Sequence, residues 1–120
     1  QVFSQKPEVV RANFITPSSL RVAREGMRQA VTQGTIWRLR DFPIPVAGKT
    51  GTSQAGAGKP NHGWVTIFFP YENPRVAFAV LMEGGPRQNT VGATFVAAQV
   101  IRWITDTGFL SKLDNDILPK

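Results

Sequence analysis

Apolar residues recur along this chain at two different spacings, and the spacing marks out its elements. From about Ser19 to Gln33 the period is helical: Leu20, Ala23, Met27, Ala30 and Val31 fall at i, i+3, i+7, i+10 and i+11. Arg21, Arg24, Glu25, Arg28 and Gln29 fall mostly on the other face, which reads as solvated and leaves Arg24 and Arg28 to water. Pro17-Ser18-Ser19 opens this helix, with either serine able to cap it, and Gly34 closes it as the C′ residue, so a helix is expected over residues 17–34. Gly26 in its middle implies close packing there, since glycine weakens a helix by roughly 1 kcal/mol relative to alanine.

Further on, Gly63–Pro70 and Arg75–Glu83 are rich in Val, Ile, Phe and Ala, and Tyr71-Glu72-Asn73-Pro74 separates them as a turn. The expectation is an antiparallel hairpin over residues 63–83. Trp64, Thr66 and Phe68 alternate with Val65, Ile67 and Phe69; both sets are mostly apolar, which predicts a sheet covered on both faces and a core position for Trp64. Thr90-Val91-Gly92 then opens a last helix over residues 90–107, capped by Gly108, with Val96, Val100, Trp103 and Ile104 as its stripe, widened by Ala93, Ala97 and Ile101. The pieces between have no such period. Gln1–Thr16 is an irregular lead-in anchored by Val9, Val10, Phe14 and Ile15, and Ile36–Pro45 is a connector in which Pro43 and Pro45 forbid regular pairing. Ala55–Asn61 is a Gly- and Pro-rich loop, expected to be mobile, and Phe109–Lys120 is a tail carrying little information.

One short stretch stands apart. Val46-Ala47-Gly48-Lys49-Thr50-Gly51-Thr52-Ser53-Gln54 starts apolar and then concentrates a lysine, hydroxyl side chains and glycines. It reads as a strand over residues 46–54 with a buried apolar end and an open polar end. Lys49 supplies a point charge with three N–H donors, and Thr50 and Thr52 supply hydroxyls that can donate to an anion. Gly48 and Gly51 let another backbone or a ligand lie against the strand. The fold class that follows is α+β: an antiparallel sheet of three strands packed with helices.

The Gly-Lys-Thr string also occurs in phosphate-binding loops, but those need a glycine five positions earlier, where this chain has Pro43. The second Gly-Lys, Gly58-Lys59, is followed by Pro60 and has Ser53 where that glycine belongs. Composition removes other classes. The chain has 120 residues, 42% hydrophobic and 18% charged, which suits one small globular unit. Its net charge of +6 is spread over scattered arginines and contains no basic run, so nucleic acid is not expected as a partner. There is no cysteine for disulfide or thiol chemistry. A single histidine, His62, and no clustered carboxylates leave no metal site, and no cofactor is expected. His62 reads as a residue that satisfies local hydrogen bonds.

Val46–Gln54 resembles the lysine-threonine-glycine box of class B penicillin-binding proteins, the monofunctional peptidoglycan D,D-transpeptidases. The resemblance runs over about residues 7 to 107. Gly26-Met27, Val31 and Gly34-Thr35 are similar to the helix and turn before the box. His62-Gly63-Trp64 and Phe69-Pro70-Tyr71-Glu72-Asn73-Pro74 are similar to the following strand and hairpin, and Val76–Glu83 to the strand after it. The wording of Phe69–Pro74 leans toward the elongation type.

The resemblance implies a chemistry and a location. Enzymes of this family attack the D-Ala-D-Ala end of a stem peptide with a serine, form an acyl-enzyme and pass it to an amine. It implies Lys49 and Thr52 as catalytic residues and Thr50, Gly51, Thr52 and Ser53 as substrate-binding residues, with the Thr52 N–H as one of two oxyanion-hole donors. Thr90 would border the cleft. The serine itself belongs to an S-x-x-K box, and here Ser4, Ser18, Ser19, Ser53 and Ser111 are followed three places on by Pro7, Arg21, Val22, Gly56 and Asp114. The nucleophile is therefore expected outside these residues, and the chain alone is expected to be inactive. The chain would be the C-terminal part of one transpeptidase domain, with stem peptides and β-lactams as ligands. Its protein partner would be the N-terminal remainder of the domain as a separate chain, or a second copy. The parent would work outside the cytoplasm, held to the membrane only by an anchor that lies outside these residues. A second reading keeps the fold and drops the chemistry: a non-catalytic module that binds a peptide carboxylate.

Overall fold

The computed structural model describes residues 8–54, 56–85 and 92–116. Residues 8–16 carry no regular element. Helix α1 is Pro17–Thr32 and leads through a single 3-10 turn, Trp37–Leu39, into strand β1, Ala47–Gln54. Strands β2, Asn61–Phe69, and β3, Val76–Gly85, follow, then helices α2, Ala93–Asp106, and α3, Phe109–Asp116. The sheet is antiparallel in the order β1-β2-β3. The expected α+β arrangement with three strands is present. The segment expected to be an uninformative tail instead begins with α3, where Phe109 and Leu110 pack on the core and Phe109 lies 5.6 Å from the Trp103 ring.

Alternation along β2 sorts the sheet into two unequal faces. Val65, Ile67 and Phe69 are buried and stand opposite Val80, Phe78 and Val76 of β3. This face carries the core, closed by Ala93, Ala97, Ile101 and Ile104 of α2 and by Val31, Ile36, Leu39 and Val46. The other face holds Trp64, Thr66 and Phe68 opposite Leu81, Ala79 and Ala77. It is covered only in part: Trp64 is 41% exposed, and Leu81, Ala77 and Ala79 are also exposed. The expectation of a sheet covered on both faces, with Trp64 in its core, is corrected on this point. Apolar composition shows that a strand suits burial, while the covering element must come from elsewhere in the fold.

Both helices bury only part of the apolar row that their spacing suggests. In α2 the buried row is Ala93, Ala97, Ile101 and Ile104, while Trp103 is 57% exposed and Phe95 and Val100 stay at the surface. Small residues at 93 and 97 let the helix lie close to the sheet, and the bulkier row is left outside. In α1 the residues that approach the sheet are Arg24, Met27, Arg28 and Val31, at i, i+3, i+4 and i+7, while Leu20 is 50% exposed. Arg24 places its guanidinium over the rings of Phe68, at 5.6 Å, and Tyr71, at 5.5 Å, and donates to the Tyr71 carbonyl. Arg28 donates to the Val46 carbonyl at 2.7 Å. The solvated-face reading of these two arginines is thus wrong. Their long stems pack on the sheet and their heads find ring faces and carbonyls.

The helix ends follow local rules with one shift. Thr16, not Ser18 or Ser19, is the N-cap: its Oγ1 accepts from the Ser19 N–H at 3.2 Å, and Pro17 takes the first helical position, where its missing N–H is harmless. Gly34 follows the C-cap Gln33, and a Cβ there would sit 2.9 Å from Ala30 Cα, so space is what demands glycine. Gly26 is the opposite case. A Cβ there would meet nothing within 4 Å among the described residues, which overturns the expectation of close packing. Gly108 closes α2 at φ 63°, a conformation that suits glycine.

Candidate active site

Strand β1 changes character in its middle. Val46, Ala47 and Gly48 are buried; Lys49, Gly51, Thr52, Ser53 and Gln54 are exposed, with Thr50 half-buried between them. Glycine is obligatory at the inner end. A Cβ on Gly48 would lie 2.8 Å from the Thr66 carbonyl oxygen, 3.1 Å from Ile67 Cγ1 and 3.2 Å from Ile36 Cδ1. Gly51 has more room, with only Trp64 Cβ at 3.5 Å. The strand pairs with β2 along its whole length, from Ala47↔Phe68 to Gln54↔Asn61, and among the described residues no strand pairs with its outer margin. An edge of this kind offers backbone N–H and C=O groups to an extended ligand.

The register places the candidate residues. Lys49, Gly51 and Ser53 stand opposite Thr66, Trp64 and His62 and share the thinly covered face. Thr50 and Thr52 stand opposite Val65 and Gly63, on the face that carries the core, Thr50 beside the buried Val65 at its end and Thr52 beyond it. Lysine and threonines therefore meet only along the strand margin. The Lys49 ammonium folds back to donate to the Thr50 carbonyl at 2.8 Å. The Thr50 hydroxyl lies 3.1 Å from that of Thr35, in the turn after α1. His62 accepts the Gly84 N–H on Nδ1 at 3.2 Å, the local role expected of it. Thr90 lies outside the described residues.

Spacing along the chain did not single out Thr35 or Arg28 for this site. Thr35 is separated from Thr50 by 15 positions and Arg28 from Val46 by 18, so only the fold joins them. Near the other end of the sheet, the Tyr71 hydroxyl donates to Glu25 Oε2 at 2.9 Å. That hydrogen bond, together with partial desolvation and the negative charge of Glu25, holds the phenol proton and raises the Tyr71 pKa above the ordinary tyrosine value. A separate hollow of about 470 Å³, between the connector and the C-terminal end of α2, is lined by Arg38, Asp41, Phe42 and Arg102 and does not include the box strand.

Fold and strand together define a class. Residues 1–105 match the family of the penicillin binding protein transpeptidase domain, and the chain belongs to it. Relatives include the peptidoglycan D,D-transpeptidase MrdA of Salmonella typhimurium, 32% identical over 134 aligned residues that take in 95% of this chain and 20% of that protein. The peptidoglycan D,D-transpeptidase PbpA of Mycolicibacterium smegmatis is 40% identical over 58 residues, 45% of this chain and 12% of that protein. Among solved structures, the penicillin-binding protein PBP2 of Helicobacter pylori superposes with a TM-score of 0.63 at 28% identity, covering 82% of this chain and 18% of that one. The imipenem acyl-enzyme complex of penicillin-binding protein A from M. tuberculosis gives 0.61 at 30% identity, covering 73% and 19%. The chain spans about a fifth or less of the length of these relatives.

Proposed function

We propose that this chain forms the lysine-threonine-glycine wall of the active site of a peptidoglycan D,D-transpeptidase. A serine nucleophile comes from a part of the domain outside these 120 residues. The observation that carries the reading is the change from buried Val46–Gly48 to exposed Lys49 and Gly51–Ser53, with Thr50 half-buried, at an outer sheet margin. The core holds one half of the strand rigid, and the other half presents donors to a ligand. The acylation of a relative by imipenem supports the same reading.

The work of each group follows from its chemistry. A stem peptide ending in D-Ala-D-Ala lies along the outer margin of β1, and its terminal carboxylate accepts from the hydroxyls of Thr50 and Thr52. Lys49 adds positive potential that holds this anion and eases proton transfer at the serine. As the serine attacks the penultimate carbonyl, negative charge develops on its oxygen, and the Thr52 N–H donates to it. Removing one such donor slows well-studied enzymes by about 100- to 1000-fold. The leaving D-alanine carries the proton away on its amine, and the acyl group passes to an acceptor amine. A β-lactam enters by the same contacts, its carboxylate standing in for that of the peptide. Gly51 and Ser53, on the Lys49 face, border the ligand.

Among the described residues no helix is long and apolar enough to cross a membrane. The enzyme reaches its substrate outside the cytoplasm through an anchor elsewhere in the protein. The exposed Val22, Trp64, Leu81, Phe95 and Trp103 form surface for the rest of the domain to cover. Fluorescent penicillin tests the whole reading. The chain by itself stays unlabelled; co-expressed with the N-terminal part of the domain it labels, and Lys49→Ala abolishes the label. Labelling of the 120 residues alone, or labelling of the completed domain that survives Lys49→Ala and Thr52→Pro, overturns the proposal.

A further inference from the structure

The turn between α1 and the connector is built to sit on the box strand. Gly34 has no room for a Cβ against Ala30, and the Ile36 N–H donates to the Ala30 carbonyl at 2.9 Å, so the path of residues 34–36 is set by the end of α1. That path places the buried Ile36 side chain over Gly48, where an added Cβ would be 3.2 Å from Ile36 Cδ1. Two residues along the strand, the same turn brings Thr35 Oγ1 to 3.1 Å from Thr50 Oγ1. One turn thus grips the strand twice, once through packing and once through a hydroxyl pair.

We infer that Thr35 is a positioning residue for anion binding: its hydroxyl donates to Thr50 Oγ1, so that the Thr50 proton is directed to the substrate carboxylate. This rests on the proposed function of the strand. A hydroxyl has one proton to give and lone pairs to receive. A carboxylate only accepts, so Thr50 must be the donor to it, and Thr50 then has a lone pair for Thr35. The two bonds run in one direction, from Thr35 through Thr50 to the anion, and each polarises the other. Thr50 is half-buried, while Thr35 lies at the exposed surface and need not touch the ligand. Side chains at these two positions therefore act as one unit, although only the second contacts substrate.

The test uses the completed transpeptidase domain, with acylation rates measured for penicillin G and for its methyl ester. Thr35→Val removes the hydroxyl at nearly constant shape, and Thr35→Ser restores it. Thr35→Val slows acylation by the free acid about three- to tenfold, the span of one neutral hydrogen bond, and Thr35→Ser stays within about twofold of the parent. The ester, whose neutral carbonyl accepts the proton more weakly than a carboxylate, is slowed by Thr35→Val less than the free acid is. In a Thr50→Val background, Thr35→Val has no further effect, as expected of two members of one chain. Equal slowing of acid and ester by Thr35→Val, or a Thr35→Ser rate as low as that of Thr35→Val, overturns the inference and leaves a packing role. Failure of the unsubstituted domain to react with either compound overturns the function of the strand itself.

Discussion

Arg28 donates from Nη1 to the carbonyl oxygen of Val46 at 2.7 Å, joining the middle of α1 to the residue that enters β1. The bond links helix to strand across a connector containing Pro43 and Pro45, and it engages a carbonyl just before the box. A charged donor to a carbonyl is worth about 1.5–3 kcal/mol when buried, and the half-buried setting of Arg28 places it toward the lower end. Arg28→Met, which keeps the stem and removes the donor, should lower stability by about 1–2 kcal/mol in urea unfolding. Arg21→Met, on the exposed side of the same helix, should change it by less than about 0.5 kcal/mol. Equal effects at the two positions would restore the solvated-face reading of Arg28.

Tyr71 is the chain's one tyrosine, so the ultraviolet absorbance of its phenolate reports on it alone. Its hydrogen bond to Glu25 raises its pKa, and the titration midpoint should lie above the ordinary value of about 10. Glu25→Gln should bring the midpoint down. Because the folded value is the higher one, the stability linked to this group is whole below the unfolded value and is lost as pH rises through the folded one. A midpoint at or below the ordinary value would remove the Tyr71–Glu25 tie from the account.

The two glycines of the box should separate folding from binding. Gly48→Ala sets a Cβ 2.8 Å from a backbone oxygen of β2, which cannot move without breaking the strand pairing, and should cost about 1–3 kcal/mol in stability. Gly51→Ala meets Trp64 Cβ at an ordinary 3.5 Å and should leave the unfolding midpoint nearly unchanged. In the completed domain it should still slow acylation, because the added methyl stands on the open strand where the ligand lies. Thermal unfolding and penicillin labelling, measured on the same two variants, read the difference.

The face that α2 turns to the sheet is equally open to test. Ile101 is fully buried and Val100 is at the surface. Ile101→Ala should cost about 2–5 kcal/mol and Val100→Ala less than about 1 kcal/mol in denaturant unfolding. The reverse order would return Val100 to the core stripe.

Much of this protein is written locally. The three strands, the long helices and their glycine stops follow from the spacing of apolar residues and from Pro17, Gly34 and Gly108, because these act on their nearest neighbours. The box strand was visible for the same reason: Val46–Gly48 and Lys49–Ser53 differ in kind side by side. Helix α3 was not visible, since Phe109 and Leu110 carry too short a pattern to stand out before they dock on the core.

What only the tertiary structure decided is which face each element shows to the others. Apolar spacing favoured Leu20, Val100 and Trp103 as inward residues; the fold leaves these at the surface, keeps Ala97 and Ile101 of the same stripe inside, and turns in Arg24 and Arg28. Burial depends on what an element meets, and an arginine meeting ring faces and free carbonyls, or an alanine letting two backbones close, can serve better than a larger apolar side chain. The pairing of Thr35 with Thr50 and of Arg28 with Val46 belongs to the same category. Residues 15 and 18 positions apart are unrelated along the chain until a turn of defined shape folds one onto the other.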